Sequence, residues 1–303
     1  MNNDSQYLPA NPKVTAWDGP KNSRPILIVP YMWIGDFVRC HSVVKVLRER
    51  FPDRPVDLLA TSLCAPLADY MPGVRQAIVA DLPRSRLALS QQNVLAQRLK
   101  REGYGMALTM PRTWKAALAP YLAGIPERVG FAGEVRFFLL NDIRFGEKRL
   151  PRMIDRCAML ALPRGAKQPS DWPLPELSVP AAQIAAWRLR RGVTEDRPIV
   201  ALANASVAVS NDSGLLHVAA AVGTPSIGIF GPTSPWHWAP LNPLAAVVET
   251  TNALDCRPCH KPVCRLAHHR CMRDIAPDRV LVAARAALTE KGADPRDRPR
   301  PCS

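Results

Sequence analysis

Aromatic side chains are scarce, seven Phe, five Tyr and seven Trp in 303 residues, and no basic run interleaves with them. Surfaces that stack single-stranded nucleic acid or RNA bases need such interleaving, so nucleic acid is not an expected partner. An apolar leader is also lacking. Met1 to Lys13 is polar, which predicts a cytoplasmic protein. Long apolar runs are missing too: the least polar stretch, Leu215 to Gly231, is broken by His217, Thr224, Pro225 and Ser226. It is too short and interrupted to predict a transmembrane helix. Finally, acid is in short supply, 26 Asp plus Glu against 40 Lys plus Arg, for a net charge of +14. Such an excess points to a polyanionic partner, which by charge alone is a nucleic acid, an anionic membrane surface or a phosphorylated substrate.

What is present is an ordinary globular composition, 47% hydrophobic, in a chain long enough for two domains. Pro25–Pro30 reads as a buried strand, and Val38, Val43, Val44 and Leu47 then recur at helical spacing until Pro52. Strand signals return at Val56–Ala60, Ala77–Val79 and Met106–Met110, alternating with helix signals at Cys64–Tyr70, Val94–Lys100 and Thr113–Leu122. This alternation predicts an α/β fold with an open, mainly parallel sheet. Pro169, Pro173, Pro175 and Pro180 mark a stiff linker. The expected organisation is a disordered N-terminus at 1–24, a first domain at 25–168, the linker at 169–180, a second α/β domain at 181–293 and a frayed tail at 294–303. In the second domain a helix is expected at Ala181–Arg191, an apolar strand-like stretch at Pro198–Val209, a helix at Ser213–Val222 and a strand at Ser226–Phe230.

Two places have the chemistry of a site. Ser210-Asn-Asp-Ser-Gly-Leu-Leu-His217 follows an apolar run and opens a helix, whose free N–H groups and positive end suit a phosphate. Gly214 allows close backbone approach, Ser213 adds a hydroxyl, and His217 lies in the first turn. The same Asn211, Asp212 and Ser213 serve equally well as helix caps, with His217 merely packed. Asp36 stands where the first strand meets its helix; a carboxylate there is either a helix cap or a base for a hydroxyl turning nucleophile. Eight cysteines without an export signal suggest reduced thiols or a metal site rather than disulfides. Cys40, Cys64 and Cys157 read as core packing. Cys256, Cys259, Cys264 and Cys271, with His260, His268 and His269 nearby, have metal-ligand chemistry without standard zinc-finger spacing, and are read as a loop of reduced thiols with no metal.

Ile34-Gly-Asp36, Leu122–Phe131, Leu139–Ile143, Ser210–Ala221 and Gly231–Pro235, in this order, resemble the lipopolysaccharide heptosyltransferases, nearest the heptosyltransferase II group. The resemblance runs from about Pro25 to about Ala287. It implies a GT-B-like fold of two Rossmann-like domains facing a cleft, the second nucleotide-sugar-binding. It also implies transfer of heptose from ADP-heptose to the lipopolysaccharide inner core, with inversion and without a metal or other cofactor. By the same resemblance Asp36 is the base, and Asp212, Ser213, Gly214 and His217 hold the donor pyrophosphate. Arg112, Lys115, Arg128 and Arg136, near the carboxyl ends of first-domain strands, suit an anionic inner-core acceptor, with Arg112, Lys115 and Arg136 the chosen set; each is also an ordinary solvated charge. The net positive charge suits peripheral contact with the anionic inner face of the plasma membrane.

One departure stands out. Between Arg197 and Ser210 there is no room for the crossover that parallel strands need, since Ala203-Asn204-Ala205 cannot supply about a dozen residues. Pro198–Val209 is then expected as one long strand or two short ones kinked at Asn204, in a reduced second domain. Two functions follow: an active heptosyltransferase with a shortened donor side, or a non-catalytic relic. A related transferase for another sugar is a third.

Overall fold

A computed structural model describes residues 23–83, 87–189 and 198–290. The expected disordered start (residues 1–22 of it) and frayed tail lie outside the described residues, as do residues 190–191 of the expected helix.

The first half is built from β1 (Ile26–Val29), α1 (Ile34–Arg50), β2 (Val56–Ala60), α2 (Ala65–Ala68), β3 (Val74–Val79), α3 (Leu89–Glu102), β4 (Met106–Thr109), α4 (Trp114–Leu122), β5 (Glu127–Phe131), β6 (Asp142–Arg144) and α5 (Met153–Met159). Its six strands are parallel in the order β3-β2-β1-β4-β5-β6. The order reverses between β1 and β4, and ligands of open α/β sheets bind outside the carboxyl ends of strands at such a switch. β1 is fully buried, as a strand covered by helices on both faces must be. The loop after it delivers Asp36 to that edge.

The second half comprises α6 (Ala181–Leu189), α7 (Pro198–Asn204), β7 (Ala208–Asn211), α8 (Gly214–Ala221), β8 (Ser226–Phe230), α9 (Pro235–Trp238), β9 (Ala245–Glu249), α10 (Arg270–Arg273) and α11 (Pro277–Glu290). Among the described residues its sheet has three parallel strands, β7-β8-β9. The expected strand over Pro198–Val209 is corrected here: Pro198–Asn204 is a helix, and only Ala208–Asn211 is a strand. Proline is favoured in a first helical turn, and Ala and Leu are strong helix formers. A short apolar run cannot by itself distinguish buried strand from buried helix. The helical solution also answers the connection problem, because no pair of parallel strands has to be joined across Asn204.

α7 and α8 place Ile199, Val200, Val218 and Ala221 in one apolar cluster with Val38, Val43 and Leu47 of α1. The shortened second half is thereby fastened to the first by shared core. The Pro-rich segment 169–180 has no helix or strand and is bonded along its length. Trp172 donates its indole N–H to Asp155 (2.8 Å), the Glu176 amide donates to His41 Nδ1 (2.9 Å), and the Leu177 and Ser178 amides reach the carbonyls of Ala221 and Tyr70. It is a strap across both halves. Among the described residues no helix is long and apolar enough to cross a membrane.

Candidate active site

Asp36 is the third residue of α1, behind the capping position of Trp33, and the helix start has no side-chain capping bond. It is therefore not a cap. Its place in the first turn still puts its charge at the positive helix end, with Arg48 and Arg50 at the other. One turn on, Arg39 Nη1 donates to Asp36 Oδ1 at 3.1 Å, with both side chains nearly buried. Burial pushes the Asp36 carboxyl up from its ordinary value, and Arg39 pulls it back.

Arg39 does more than pair with Asp36. Its Nη2 donates to the Trp238 carbonyl (2.6 Å) and to His217 Nε2 (3.4 Å), and the guanidinium lies 5.4 Å from the Trp238 ring centroid. One side chain of the first half thus grips two elements of the second. Because arginine has only donors, His217 Nε2 accepts and its proton sits on Nδ1. The sequence reading missed Arg39; the visible signal was its i,i+3 spacing from Asp36 on one helix face.

α8 begins at Gly214, with Ser213 in the capping position, φ −148° and ψ 162°. Ser213 makes no capping bond to the helix, and its hydroxyl pairs with Ser210 Oγ at 2.9 Å. The capping role that Asn211, Asp212 and Ser213 offered in the sequence is not taken up by a side chain, so the first-turn N–H groups keep their capacity for an anion. The half-buried Asp212 carboxylate acts electrostatically on both Asp36 and Arg39, so this loop lies near that pair.

His217 is placed differently from its expected donor-binding position. It is buried, its ring fills the space where a β-carbon on Gly35 would stand (2.5 Å), and its nitrogen is held by Arg39. Burial, with Arg39 adding to it, pushes its imidazole down to about 3. It packs α8 onto α1 as a neutral ring. Above pH 6.5 both folded and unfolded forms are neutral; below it only the unfolded form takes up the proton, so stability falls as pH drops toward about 3. The slope from one such group is about 1.4 kcal/mol per pH unit. His217→Gln is expected to reduce the acid slope of the unfolding free energy between pH 6 and 4 by on the order of 1 kcal/mol per unit, and an unchanged slope in chemical denaturation contradicts a neutral buried His217.

Gly214 also has a different reason from the expected one. A β-carbon there would stand 2.5 Å from Ile34 Cβ, so the glycine lets the first turns of α8 and α1 touch. Close approach is to a neighbouring helix.

Of the basic residues expected on the acceptor side, Arg112 is half-exposed and pairs with Glu147 at 3.0 Å, and Lys115 is half-buried in the first turn of α4. Arg136 is corrected: it is 2% exposed, with Nε and Nη2 on the Phe131 carbonyl and Nη1 on that of Pro111 (2.7 Å). A buried guanidinium must spend its donors inside, and these brace the loop after β5. Arg128 does likewise with the Leu139 and Ile125 carbonyls. Sequence reading also missed Tyr31, whose phenol is pushed up by burial first and by the neighbouring Cys157, Glu147 and Asp36.

Cys40, Cys64 and Cys157 are buried, as expected. Cys256, Cys259, Cys264 and Cys271 are half-buried around a cavity of about 590 Å³ that His268 and His269 also line. Cys256 Sγ is 3.9 Å from His268 Nε2. Backbone N–H groups of His269, Leu266, His268 and Ala267 draw the Cys264 thiol down. Among the described residues no three His, Cys, Asp or Glu side chains are grouped so as to hold a metal ion.

Parallel α/β halves, a first-turn carboxylate at the switch point and an uncapped helix start beside it define a GT-B-like glycosyltransferase. The model of the glycosyltransferase family 9 (heptosyltransferase) matches residues 93–206 and 198–269, and the chain belongs to that family. It is 28% identical to lipopolysaccharide heptosyltransferase 2 of Escherichia coli K12, over 88% of this chain and 99% of the relative. The solved structure of E. coli ADP-heptose lps heptosyltransferase II covers 89% of this chain and 100% of its own, at a TM-score of 0.74 and 25% identity. E. coli heptosyltransferase WaaC with ADP shares the fold, with a TM-score of 0.57 at 16% identity, over 74% of this chain and 92% of its own. The first alignment runs over 348 positions, whereas 88% of 303 residues is about 267, so about 80 positions face no residue of this chain. The two stretches of the family match overlap at 198–206, on α7. The departure read in the sequence falls at that same point.

Proposed function

We propose that this chain carries the acceptor half and the base of an inverting lipopolysaccharide heptosyltransferase, joined to a shortened donor half that limits transfer from ADP-heptose. The observation that carries this reading is Asp36, held in the first turn of α1 by Arg39 beside the uncapped start of α8. Asp36 takes the proton of an inner-core hydroxyl, whose oxygen forms a bond to the anomeric carbon as the bond to the ADP β-phosphate breaks. ADP leaves with the electron pair. The N–H groups of the first turn of α8, with the Ser210 and Ser213 hydroxyls, are the donors available to the departing charge. Arg112 and Lys115 supply positive charge on the acceptor side, and the working place is the anionic inner face of the plasma membrane.

A second reading, a relic without activity, is favoured by one contact: α8 lies against α1 so closely that Gly214 has no room for a β-carbon. Incubation with ADP-heptose and a heptose-deficient inner core, read by mass, tests the proposal. Slow addition of one heptose is expected. No addition after prolonged incubation, even at high donor concentration, leaves the relic.

This mechanism gives the Cys256–Cys271 loop no part in the chemical step. Elemental analysis of the purified protein is expected to find less than one zinc per chain, with chelator leaving the melting curve unchanged. Stoichiometric zinc and unfolding on chelation make the loop a structural metal site instead.

A further inference from the structure

Phenylalanine is rare in this chain, yet three of its seven stand exposed within nine residues: Phe137 (61%), Phe138 (66%) and Phe145 (68%), beside Val135 (72%). They converge on one groove with Ile143, Arg128 and Arg164, and a second groove shares Ile143, Phe145 and Arg164 with it. Contiguous apolar surface of this kind marks a place of interaction. Phe137 and Phe138 are presented by a braced turn. Arg136 immediately before them is locked on buried carbonyls, Leu139 and Leu140 immediately after them are buried, and the Leu139 amide donates to the Arg136 carbonyl at 3.1 Å.

We propose that this ledge is the membrane-docking surface, taking an anionic phospholipid bilayer with its phenyl rings at the headgroup boundary. Charge commits it to that occupant. Arg164 lines both grooves, Lys148 and Arg149 stand exposed on the turn that follows Phe145, and Lys167 is exposed nearby in sequence. The acids of the same region are largely engaged, Asp142 by Arg144 and Glu147 by Arg112. Aromatic rings flanked by exposed cations match the interfacial mode of membrane binding. The ledge also neighbours the acceptor side: Glu147, two residues after Phe145, is paired with Arg112, whose charge is assigned above to the acceptor, so a lipid-borne acceptor would approach from the surface that holds the protein. This last step rests on the lipid-linked acceptor proposed above; the docking surface itself is tested without it.

The experiment is flotation of the full chain with vesicles of phosphatidylcholine alone or mixed with phosphatidylglycerol. Wild-type protein is expected to float with the mixed vesicles. A Phe137→Ser/Phe138→Ser/Phe145→Ser variant is expected to lose about ten-fold or more of that partition, with an unchanged melting curve. Lys148→Glu/Arg149→Glu/Arg164→Glu is expected to abolish the preference for the anionic lipid. A serine variant that floats like wild type overturns the proposal, as does a wild-type dimer that the serine variant turns into a monomer. Wild-type protein that binds neither vesicle overturns peripheral membrane binding altogether. Transfer to a delipidated inner-core oligosaccharide should be equal in wild type and serine variant, and its absence in both sinks the enzymatic reading while the flotation result stands alone.

Discussion

Asp36→Asn lowers heptose transfer by two or more orders of magnitude, the range expected when a general base is lost. The substitution keeps size and hydrogen-bonding shape but cannot take the acceptor proton. Structural cost accompanies it, because Asp36 is the carboxylate partner of the nearly buried Arg39. Stripping a buried charge of its partner typically costs about 3–5 kcal/mol. Here Arg39 keeps the Trp238 carbonyl and the nearby Asp212, so a loss on the order of 2 kcal/mol is expected. The pH profile separates chemistry from stability. With its ionisation pushed up by burial, Asp36 gives a wild-type rate that rises with pH through a value above that of an ordinary aspartate. Arg39→Met removes the opposing pull and moves that rise to higher pH. Stopped-time assays from pH 4 to 8 check both, and retained turnover in Asp36→Asn returns Asp36 to a structural role.

Inserting a relative's missing segment between Leu202 and Ala205 restores donor affinity. About 80 aligned positions of the E. coli relative face nothing here, and the family match divides at 198–206. At that division stands α7, with Ile199 and Val200 buried in the common core. The start of α8 rests on Ile34, so closely that a β-carbon on Gly214 would meet Ile34 Cβ. A charge-assisted hydrogen bond to a pyrophosphate is worth about 1.5–3 kcal/mol, so a donor side short of even one such bond binds about ten-fold or more weakly. The insertion must unseat α7, so a lower melting temperature without ADP-heptose and a larger gain with it are the accompanying signs. A graft that folds and binds no better than the native chain places the defect elsewhere.

Much of the first half was legible because its strands are apolar and its helices amphipathic. Val56–Ala60 and Ser226–Phe230 have the bounds their β-branched and Leu-rich runs suggest. β6, three residues long, gives no comparable signal, whereas β9 is a short apolar run that the sequence reading passed over. α7 was hidden because an apolar run of seven residues has no period that separates helix from strand. In the site, Asp36 and the start of α8 announced themselves by position in the alternation. Their relation to Arg39 did not, since it depends on a side chain crossing between halves 199 residues apart in sequence. Arg136 misled for the opposite reason: arginine reads as surface until the carbonyls that bury it are seen.

The most direct measurement is a calorimetric titration of ADP-heptose into the native chain and the grafted chain side by side, each also assayed for heptose transfer by mass. The expected result is weak binding and slow transfer in the native chain, with both improved about ten-fold or more by the graft. Micromolar binding and a full-length relative's rate in the native chain would contradict the account.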